Sequence, residues 1–410
     1  MKILWFSNTS SNYGVDNIYN GGGWISSLET ELTNKDGISL GICFWHNCPQ
    51  PKLTKNNVSY YPLYNRYASF GGKIRKFFTP STKIAEQHIA QYLQVIEDFQ
   101  PDVITVFGTE QDFGLITSHI KIPVVIYIQG VLCSCVNAFL PPGQSLLPYI
   151  FADFNPIKIK KRYRDYQIIC QNADRELGIF RDNKYFIGRT EWDKSVVRAF
   201  SKDSLYFHCD EILRSDFYTC SKRTIPEQLV ITSTLSSPLY KGVDMVFKTA
   251  KVLHELFDIP FIWNVYGNVD ARAAEKHMGY KVDGIAFKGV ATSSQLKDAL
   301  LNSTVYVHTS YIENSPNSLC EAQILGCPVV GQNVGGISTL VQNAHNGYLV
   351  PANDPILMAS SIYDLHADKG LNNQIGENAR SDAQNRHNKE KIVAGFFDLY
   401  SQLTRQADKG

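Results

Sequence analysis

Apolar and polar positions alternate along the chain in a pattern that predicts parallel β-strands joined by helices. Short apolar runs rich in β-branched residues, which are typical of buried strands, are followed by longer stretches with helical spacing. In the first half, we predict strands at Lys2–Phe6, Ile38–Trp45, Val103–Phe107 and Val124–Ile128, and helices at Trp24–Leu32 and Ser81–Phe99. The predicted fold class is α/β, because parallel strands need helical crossovers.

The second half repeats this pattern more regularly. We predict strands at Leu229–Thr234, Phe261–Tyr266, Ile285–Lys288, Val305–His308 and Val329–Gly331, and helices at Val243–Leu256, Ser294–Leu301, Asn317–Leu325 and Ile356–His366. A chain of 410 residues suits two domains better than one core. With a linker at Cys220–Gln228, the predicted domains are residues 1–222 and 223–387. A final helix within 388–410 follows, and the pattern leaves open which domain it docks on.

Two open α/β sheets in series indicate where a ligand binds. Ligands bind outside the carboxyl ends of parallel strands in such sheets. Two such edges that face each other form a deep cleft between the domains. We therefore look for chemically active residues on the loops that directly follow strands.

The segment Tyr311–Ala322 carries the strongest candidate chemistry and follows a predicted strand. Pro316 suits a helix start, where unpaired backbone N–H groups can bind a diphosphate. The N–H groups predicted to face the cleft are those of Asn317, Ser318 and Leu319. Glu321, one turn into this helix, can accept hydrogen bonds from a ribose, and Glu313 on the preceding loop can reach a sugar ring. The alternative is an ordinary helix with acidic surface residues.

The pair Glu313-x7-Glu321 belongs to a longer series of motifs. The series comprises Lys241-Gly242, Val265-Tyr266-Gly267, Phe287-Lys288-Gly289, Ala322, Gly326, Pro328-Val329-Val330, Gly335-Gly336-Ile337 and Asn346-Gly347-Tyr348-Leu349-Val350. It resembles the retaining family 4 glycosyltransferases, which have the GT-B fold of two Rossmann-like domains. The resemblance is strong over about Val230 to Pro355 and weak before it. It implies a second domain that binds a nucleotide sugar, and a last helix that returns to an acceptor-binding first domain.

The resemblance also implies roles for individual residues. Glu313 is expected to contact the donor sugar near the reacting carbon, and Glu321 to hold the ribose. Lys241 is expected to neutralise the donor diphosphate, on which negative charge grows as the glycosidic bond breaks. Taken without its context, a lysine before a glycine is more often a surface residue. Gly267 is expected to lie in the donor site.

A glycine run, Gly21-Gly22-Gly23, follows the first strand and precedes a helix. Glycines at such a position let the backbone approach a phosphate or a sugar closely. The resemblance places Gly22 and Gly23 near the donor diphosphate or the acceptor. A simple tight turn is the alternative interpretation.

One position departs from the family pattern. Family members usually carry an arginine some five or six residues before the lysine at the diphosphate, whereas Thr232–Pro238 contains none. Our hypothesis is that Arg189, which follows another predicted strand, supplies the missing charge from the first domain. A salt bridge from Arg189 to a neighbouring acid is the competing interpretation.

Two loops of the first domain are candidates for acceptor binding. Glu110 follows one predicted strand and can orient or deprotonate an acceptor hydroxyl. Gln129 follows the next strand, at a position where the family often has a histidine. Acid–base help from that histidine therefore cannot be carried over to this chain.

Composition narrows the remaining choices. Apolar residues make up 44% of the chain, a share that excludes a disordered protein. The net charge of +1 creates no overall electrostatic field that would attract nucleic acid. The nine cysteines are scattered, without metal spacing, and fit thiols in the cytoplasm. The start of the chain has too short an apolar run for a signal peptide. Two basic-aromatic segments, Lys73–Phe78 and Lys158–Arg164, are either solvated faces or contacts to an anionic membrane.

These observations predict a retaining hexosyltransferase that works in the cytoplasm or at the inner membrane face. The expected donor is a UDP-sugar rather than a GDP-sugar, and the expected acceptor is a glycan or a lipid-linked oligosaccharide of bacterial surface or capsular polysaccharide. No cofactor and no metal are expected, since no Asp-x-Asp follows a strand. Two alternatives stay open. One is a non-hydrolysing nucleotide-sugar 2-epimerase of the same fold, and the other is an inactive sugar-nucleotide-binding partner.

Overall fold

The computed structural model describes residues 1–14, 23–67, 69, 71–72, 79, 81–218 and 222–407. Within these residues the chain forms two separate α/β sheets, one in each half of the sequence, and this confirms the predicted fold class. Gly22 and the basic-aromatic segment 73–78 lie outside the described residues. So do the first two residues of the predicted linker and the last three residues of the chain.

The first sheet is parallel throughout its centre. Its described strands are β1 (Lys2–Ser7), β2 (Ser39–His46), β3 (Leu53–Lys55), β4 (Val58–Tyr64), β5 (Val103–Phe107), β6 (Val124–Tyr127), β7 (Tyr185–Gly188) and β8 (Leu205–His208). Their order is β3-β4-β2-β1-β5-β6-β7-β8, and the edge pair β3–β4 is antiparallel. The chain order reverses between β1 and β5, where Ile3 is in register with Val103. Open α/β sheets bind ligands at such a switch point.

Helices cover both faces of this sheet. In the described part of the first half they are α1 (Gly23–Thr33), α2 (Ser81–Phe99), α3 (Leu132–Asn137), α4 (Leu146–Phe151), α5 (Pro156–Asp182) and α6 (Glu191–Phe200). Alternate side chains of β1 point to opposite faces. Trp5 therefore packs in one core layer with α1, whereas Leu4 and Phe6 pack in the other with α2. The near-continuous apolar runs seen in the sequence reflect this two-sided burial.

The second sheet has the strand order of a doubly wound fold. Its described strands are β9 (Leu229–Thr234), β10 (Phe261–Tyr266), β11 (Ile285–Gly289), β12 (Val305–His308), β13 (Val329–Gln332) and β14 (Tyr348–Val350). They are parallel and ordered β11-β10-β9-β12-β13-β14. The switch point lies between β9 and β12, which pair through Ile231 and Val305. It is here that the segment carrying Glu313 leaves the sheet.

The helices of the second half alternate with these strands. As described, they are α7 (Val243–Glu255), α8 (Ala271–Met278), α9 (Ser293–Leu301), α10 (Asn317–Ile324), α11 (Ile337–Leu340), α12 (Pro355–Ala367), α13 (Lys369–Arg386) and α14 (Lys389–Ala407). None of the helices in the described ranges is both long and apolar enough to cross a bilayer.

The last helix, α14, packs on the first sheet rather than the second. Its apolar face lies in the same core layer as Trp5. The hydroxyl of Tyr400 accepts a hydrogen bond from the Trp5 indole at 3.2 Å and lies 2.9 Å from the Thr105 hydroxyl. These buried polar groups satisfy one another's hydrogen bonds. Because α14 packs here, the chain crosses back to the domain in which it began.

Asn314 joins the two sheet domains directly. Its side-chain oxygen accepts a hydrogen bond from the Thr190 hydroxyl at 2.6 Å, and its side-chain nitrogen donates to Asp193 at 2.8 Å. Thr190 and Asp193 also form the capping box of α6. The loop that carries Glu313 is therefore tied to a helix start of the first domain.

Candidate active site

The cleft between the two sheets holds a cavity of 410 Å³ with walls from both domains. It brings together most of the residues predicted to form the site. Those that line it are Gly23, Gln129, Arg189, Lys241, Gly267, Glu313, Asn317, Ser318 and Glu321. Leu319 and Glu110 do not line this cavity. The predicted residues therefore converge in space, although they come from distant parts of the sequence.

Lys241 and Glu313 form an ion pair inside this cavity. Lys241 ends a single 3₁₀ turn, Leu239–Lys241, between β9 and α7. Gly242 follows with a φ of 77°, and a Cβ at this position would strike a backbone carbonyl of the loop after β12. Only glycine fits there. The carbonyl of Glu313 accepts a hydrogen bond from Gly336 N–H at 2.9 Å, which fixes the carboxylate-bearing loop.

Both members of the pair keep their charge although they are largely buried, with side-chain exposures of 23% and 17%. Burial alone lowers the pKa of Lys241, but the charge of Glu313 outweighs it and the pKa lies above its ordinary value. Burial alone raises the pKa of Glu313, but Lys241 outweighs it and the pKa lies below its ordinary value. Burial lowers the pKa of the neighbouring His308 to about 4, so its imidazole is neutral at pH 7. Its Nε2 has no hydrogen-bond partner among the described residues.

Helix α10 presents two unpaired N–H groups at the cavity wall. Its N-cap is Pro316, and the N–H groups of Asn317 and Ser318 have no partner in the described part of the chain. The structure corrects the prediction that Leu319 also offers a free N–H group. Its N–H donates to the Pro316 carbonyl at 3.0 Å, and its side chain is fully buried. Since this bond closes the first turn, an anion at the helix start meets the two preceding N–H groups only.

Glu321 is held by an arginine that the sequence did not single out. Arg214, which also lines the cavity, donates from Nε and from a terminal nitrogen to the two carboxylate oxygens of Glu321, both at 2.7 Å. This bidentate geometry is the strong form of an arginine–carboxylate contact. Burial raises the pKa of Glu321, and Arg214 opposes this effect. A ribose that binds Glu321 must therefore share the carboxylate with Arg214 or displace it.

Arg189 lines the cavity but is committed to another acid. Its guanidinium forms a salt bridge with Glu211, and both side chains are almost fully buried. It also donates to the carbonyl of Gln129 at 3.2 Å. The competing interpretation of Arg189, a structural salt bridge, is therefore present in the structure. A contact from Arg189 to the donor diphosphate stays a prediction.

Glycines allow close approach of the backbone on both sides of the cleft. Gly267 follows β10 with a φ of 121°, and a Cβ there would lie 1.8 Å from the carbonyl oxygen of Leu235. Gly23 opens α1, and a Cβ there would lie 3.0 Å from the side chain of Arg214. Any larger residue at Gly23 would push on the arginine that holds Glu321. Gly22 lies outside the described residues.

The two acceptor candidates occupy the switch point of the first sheet. Glu110 follows β5 and accepts a hydrogen bond from the side chain of Asn8, which follows β1, at 3.1 Å. Burial raises the pKa of Glu110 above its ordinary value. Gln129 follows β6 and lines the cavity, and its side-chain nitrogen has no partner within the described ranges. Glu110 and Gln129 are both half-buried, and only Gln129 lines the cavity.

Sequence reasoning missed Arg214 and His308. Arg214 comes shortly after β8, and because the sequence pattern does not predict this strand, nothing in the sequence marks Arg214 as a residue at a strand end. His308 ends a predicted buried strand, and the end of a strand at a switch point is itself a ligand-facing position. Among the described residues, no three His, Cys, Asp or Glu side chains are grouped to hold a metal ion.

Residues 222–382 match the family model described as glycosyl transferases group 1. The D-inositol 3-phosphate glycosyltransferase of Streptomyces bingchenggensis is 34% identical over 123 residues, which are 30% of this chain and 27% of that protein. The UDP-Gal:alpha-D-GlcNAc-diphosphoundecaprenol alpha-1,3-galactosyltransferase of Escherichia coli is 32% identical over 110 residues, which are 27% of this chain and 28% of that protein. The matching stretches span about a quarter of the length of these relatives.

A solved structure resembles the chain over its whole length. Sucrose-phosphate synthase from Thermosynechococcus elongatus superposes with a TM-score of 0.73 at 17% identity, covering 99% of each chain. At this identity the likeness concerns the fold, which is GT-B. The two facing sheets, the returning last helix and the family match agree with one another. The chain thus has the GT-B fold, and its residues 222–382 match the model of the glycosyl transferases group 1 family.

Proposed function

We propose that the protein is a retaining glycosyltransferase that moves a hexose from a UDP-sugar to a glycan or lipid-linked acceptor in bacterial surface polysaccharide assembly. The observation that carries this proposal is the largely buried ion pair of Lys241 and Glu313 beside two unpaired helix N–H groups. The name of the E. coli relative gives that enzyme a UDP-galactose donor and a diphosphoundecaprenol-linked acceptor. Both chemistries suit a cleft with cationic and carboxylate groups.

The donor is expected to bind along the wall of the second domain. The diphosphate accepts hydrogen bonds from the N–H groups of Asn317 and Ser318 and faces the ammonium of Lys241. The ribose hydroxyls bind Glu321. Arg214 then supplies the second positive charge at the diphosphate, in place of the arginine that the segment before Lys241 lacks. Arg214 suits this role better than Arg189 because its counter-ion, Glu321, gains the ribose as a new partner.

Sugar transfer proceeds with retention at the anomeric carbon. The bond from this carbon to the β-phosphate oxygen breaks, and its electron pair stays on the departing UDP. The acceptor oxygen attacks from the same face, and its proton passes to the β-phosphate. Lys241 and the helix N–H groups stabilise the growing negative charge without a metal. Glu313 lies beside the developing positive charge on the sugar ring, which its carboxylate stabilises.

The acceptor is expected to enter from the first domain. Gln129 lies in the cavity wall with an unused side-chain nitrogen, which can donate to an acceptor hydroxyl. Glu110, which has a raised pKa and accepts a hydrogen bond from Asn8, can help to position this wall. An acceptor carried on a lipid would place the enzyme at the inner face of a membrane.

The proposal is tested by turnover of a panel of nucleotide sugars, with free UDP or GDP as the readout. We expect slow release of UDP from one UDP-sugar in the absence of acceptor, and its loss in Glu313→Gln and Lys241→Met. Lys251→Met is the matched control, since Lys251 is an exposed lysine of α7. Activity that survives both cleft substitutions contradicts the proposal. Conversion of a nucleotide sugar to its 2-epimer without UDP release supports the epimerase instead.

A further inference from the structure

A helical hairpin, residues 146–168, projects from the first domain on the cleft side. It consists of α4 and the first half of α5. The carboxylate of Glu176 in α5 accepts a hydrogen bond from Thr109, directly after β5, at 2.5 Å, and another from Leu132 N–H at 3.0 Å. Glu176 therefore lies level with the carboxyl edge of the sheet. The twenty preceding residues of α5 extend roughly 30 Å past this edge, at 1.5 Å per residue.

The turn end of this hairpin carries exposed apolar side chains. We define the hairpin tip as Leu147, Phe151, Phe154 and Ile157, whose exposed fractions are 67%, 46%, 85% and 81%. The buried residues of α5, in contrast, all belong to its last ten residues. Large apolar side chains that cluster on a protruding element, rather than scattering over the surface, mark an interaction site.

The same hairpin carries a strong positive charge beside its tip. Residues 146–168 contain five basic and two acidic residues, a net charge of +3, whereas the whole chain carries +1. We define the basic flank as the exposed residues Lys160, Lys161 and Arg164. None of the three has an acidic partner within the described ranges. The charge of the flank is therefore available to a partner.

The hairpin also contacts the second domain. Asp153, next to the tip, forms an ion pair with Lys276 of α8 in the second domain at 2.8 Å. The side chain of Gln144 lies 2.9 Å from His277 of the same helix. The tip is thus held beside α8 of the second domain.

We propose that this hairpin is a membrane-docking element: the hairpin tip inserts into the headgroup region of an anionic bilayer and the basic flank contacts the lipid phosphates. An apolar face bordered by lysine and arginine is the composition that binds anionic membrane surfaces. A protein partner with an apolar groove would leave the uncompensated flank unexplained. The biological purpose, delivery of a lipid-linked acceptor to the cleft, rests on the proposed function, whereas the membrane contact does not.

The test is co-sedimentation of the full chain with two kinds of vesicles. One kind is phosphatidylcholine alone, and the other is equal parts of phosphatidylcholine and phosphatidylglycerol. We expect the protein to pellet only with the anionic vesicles. Phe154→Ser combined with Ile157→Ser should lower the partition coefficient about ten-fold or more, because both side chains are lost from the interface. Charge reversal at Lys160, Lys161 and Arg164 should abolish binding.

Leu256→Ser combined with Ile356→Ser is the matched control. These side chains are exposed apolar residues of the second domain, and the pair should bind vesicles as the unchanged protein does. An unchanged protein that stays in the supernatant, or a tip variant that binds normally, overturns the proposal. A tip-dependent dimer in light scattering without vesicles also overturns it. UDP release by the tip variant should be unchanged, so failure of docking and failure of the proposed function are separate outcomes.

Discussion

The contact between Arg214 and Glu321 makes the most informative prediction about the donor site. Replacing Arg214 with methionine keeps much of the side-chain volume and removes the charge. In the proposed arrangement, Arg214 faces the donor diphosphate while the ribose takes over Glu321. The substitution should therefore weaken UDP binding but spare uridine, which has no phosphate.

The expected size follows from the bonds that are lost. A charge-assisted hydrogen bond contributes about 1.5–3 kcal/mol, so the Kd for UDP should rise about 10- to 100-fold. The Kd for uridine should stay the same or fall, because methionine frees both oxygens of Glu321 for the ribose. Glu321 is only 2% exposed at its side chain and Arg214 is 29% exposed. Leaving this carboxylate unpaired should lower the free energy of unfolding by about 3 kcal/mol, the lower end for a broken buried pair.

Isothermal titration calorimetry with UDP and with uridine separates these effects. Circular dichroism confirms first that the variant is folded at the titration temperature. Arg272→Met is the matched control, since Arg272 is an exposed arginine of α8, and both affinities should be unchanged. An equal rise in the Kd for UDP and for uridine would show that Arg214 acts only by shaping the site. An unchanged Kd for UDP would refute the proposed role outright.

Three further predictions concern single features of the fold and the site. Gly267→Ala should abolish UDP binding in calorimetry, because a Cβ at a φ of 121° would strike a backbone carbonyl. Arg189→Met should lower the free energy of unfolding in urea by about 3 kcal/mol, since it orphans the buried Glu211, and should weaken UDP binding less than Arg214→Met does. The melting temperature should fall as pH drops below about 6.5, because burial lowers the pKa of His308 to about 4 and that of His387 to about 3. The unfolded chain binds these protons first, which costs up to about 1.4 kcal/mol per pH unit for each histidine, and His308→Asn with His387→Asn should flatten the calorimetric curve.

The second half of the fold was predictable because the secondary structure that its local sequence favours agrees with the burial that the fold imposes. Its central strands are buried on both faces and read as short apolar runs. β9 and β10 were predicted with the bounds that the structure has, and so was β12. Helix α13 was not predicted, since its sequence is largely polar and carries only a narrow buried stripe. A periodic pattern that weak cannot be separated from a solvated loop.

The first half was harder to predict for two physical reasons. β8 is short and half exposed at the edge of its sheet, so it lacks the continuous apolar run of a central strand. Helix α5 is long and polar because most of it extends beyond the sheet, and only its last turns contribute to the core. The sequence reading found the basic residues of this helix but not the apolar tip next to them. Exposure is a tertiary property and is not encoded in hydropathy alone.

The sequence identified the residues of the site more reliably than the contacts between them. Lys241 and Glu313 were placed in one cleft from their motifs, and they form an ion pair there. The partner of Glu321 was missed, because Arg214 lies 107 residues away in the sequence and no local pattern links them. A salt bridge of Arg189 was expected as an alternative, but its partner Glu211 was not named, because the contact depends on how two loops of the first domain pack.

The most direct test of the proposed function is a crystal structure of the protein soaked with UDP. We expect the diphosphate against the N–H groups of Asn317 and Ser318, within hydrogen-bonding distance of Lys241, and the ribose against Glu321. In that complex Arg214 should have turned from Glu321 toward the phosphates. A nucleotide bound outside the 410 Å³ cavity, with Lys241 and Glu313 still paired only to each other, would contradict the assignment of this cleft as the donor site.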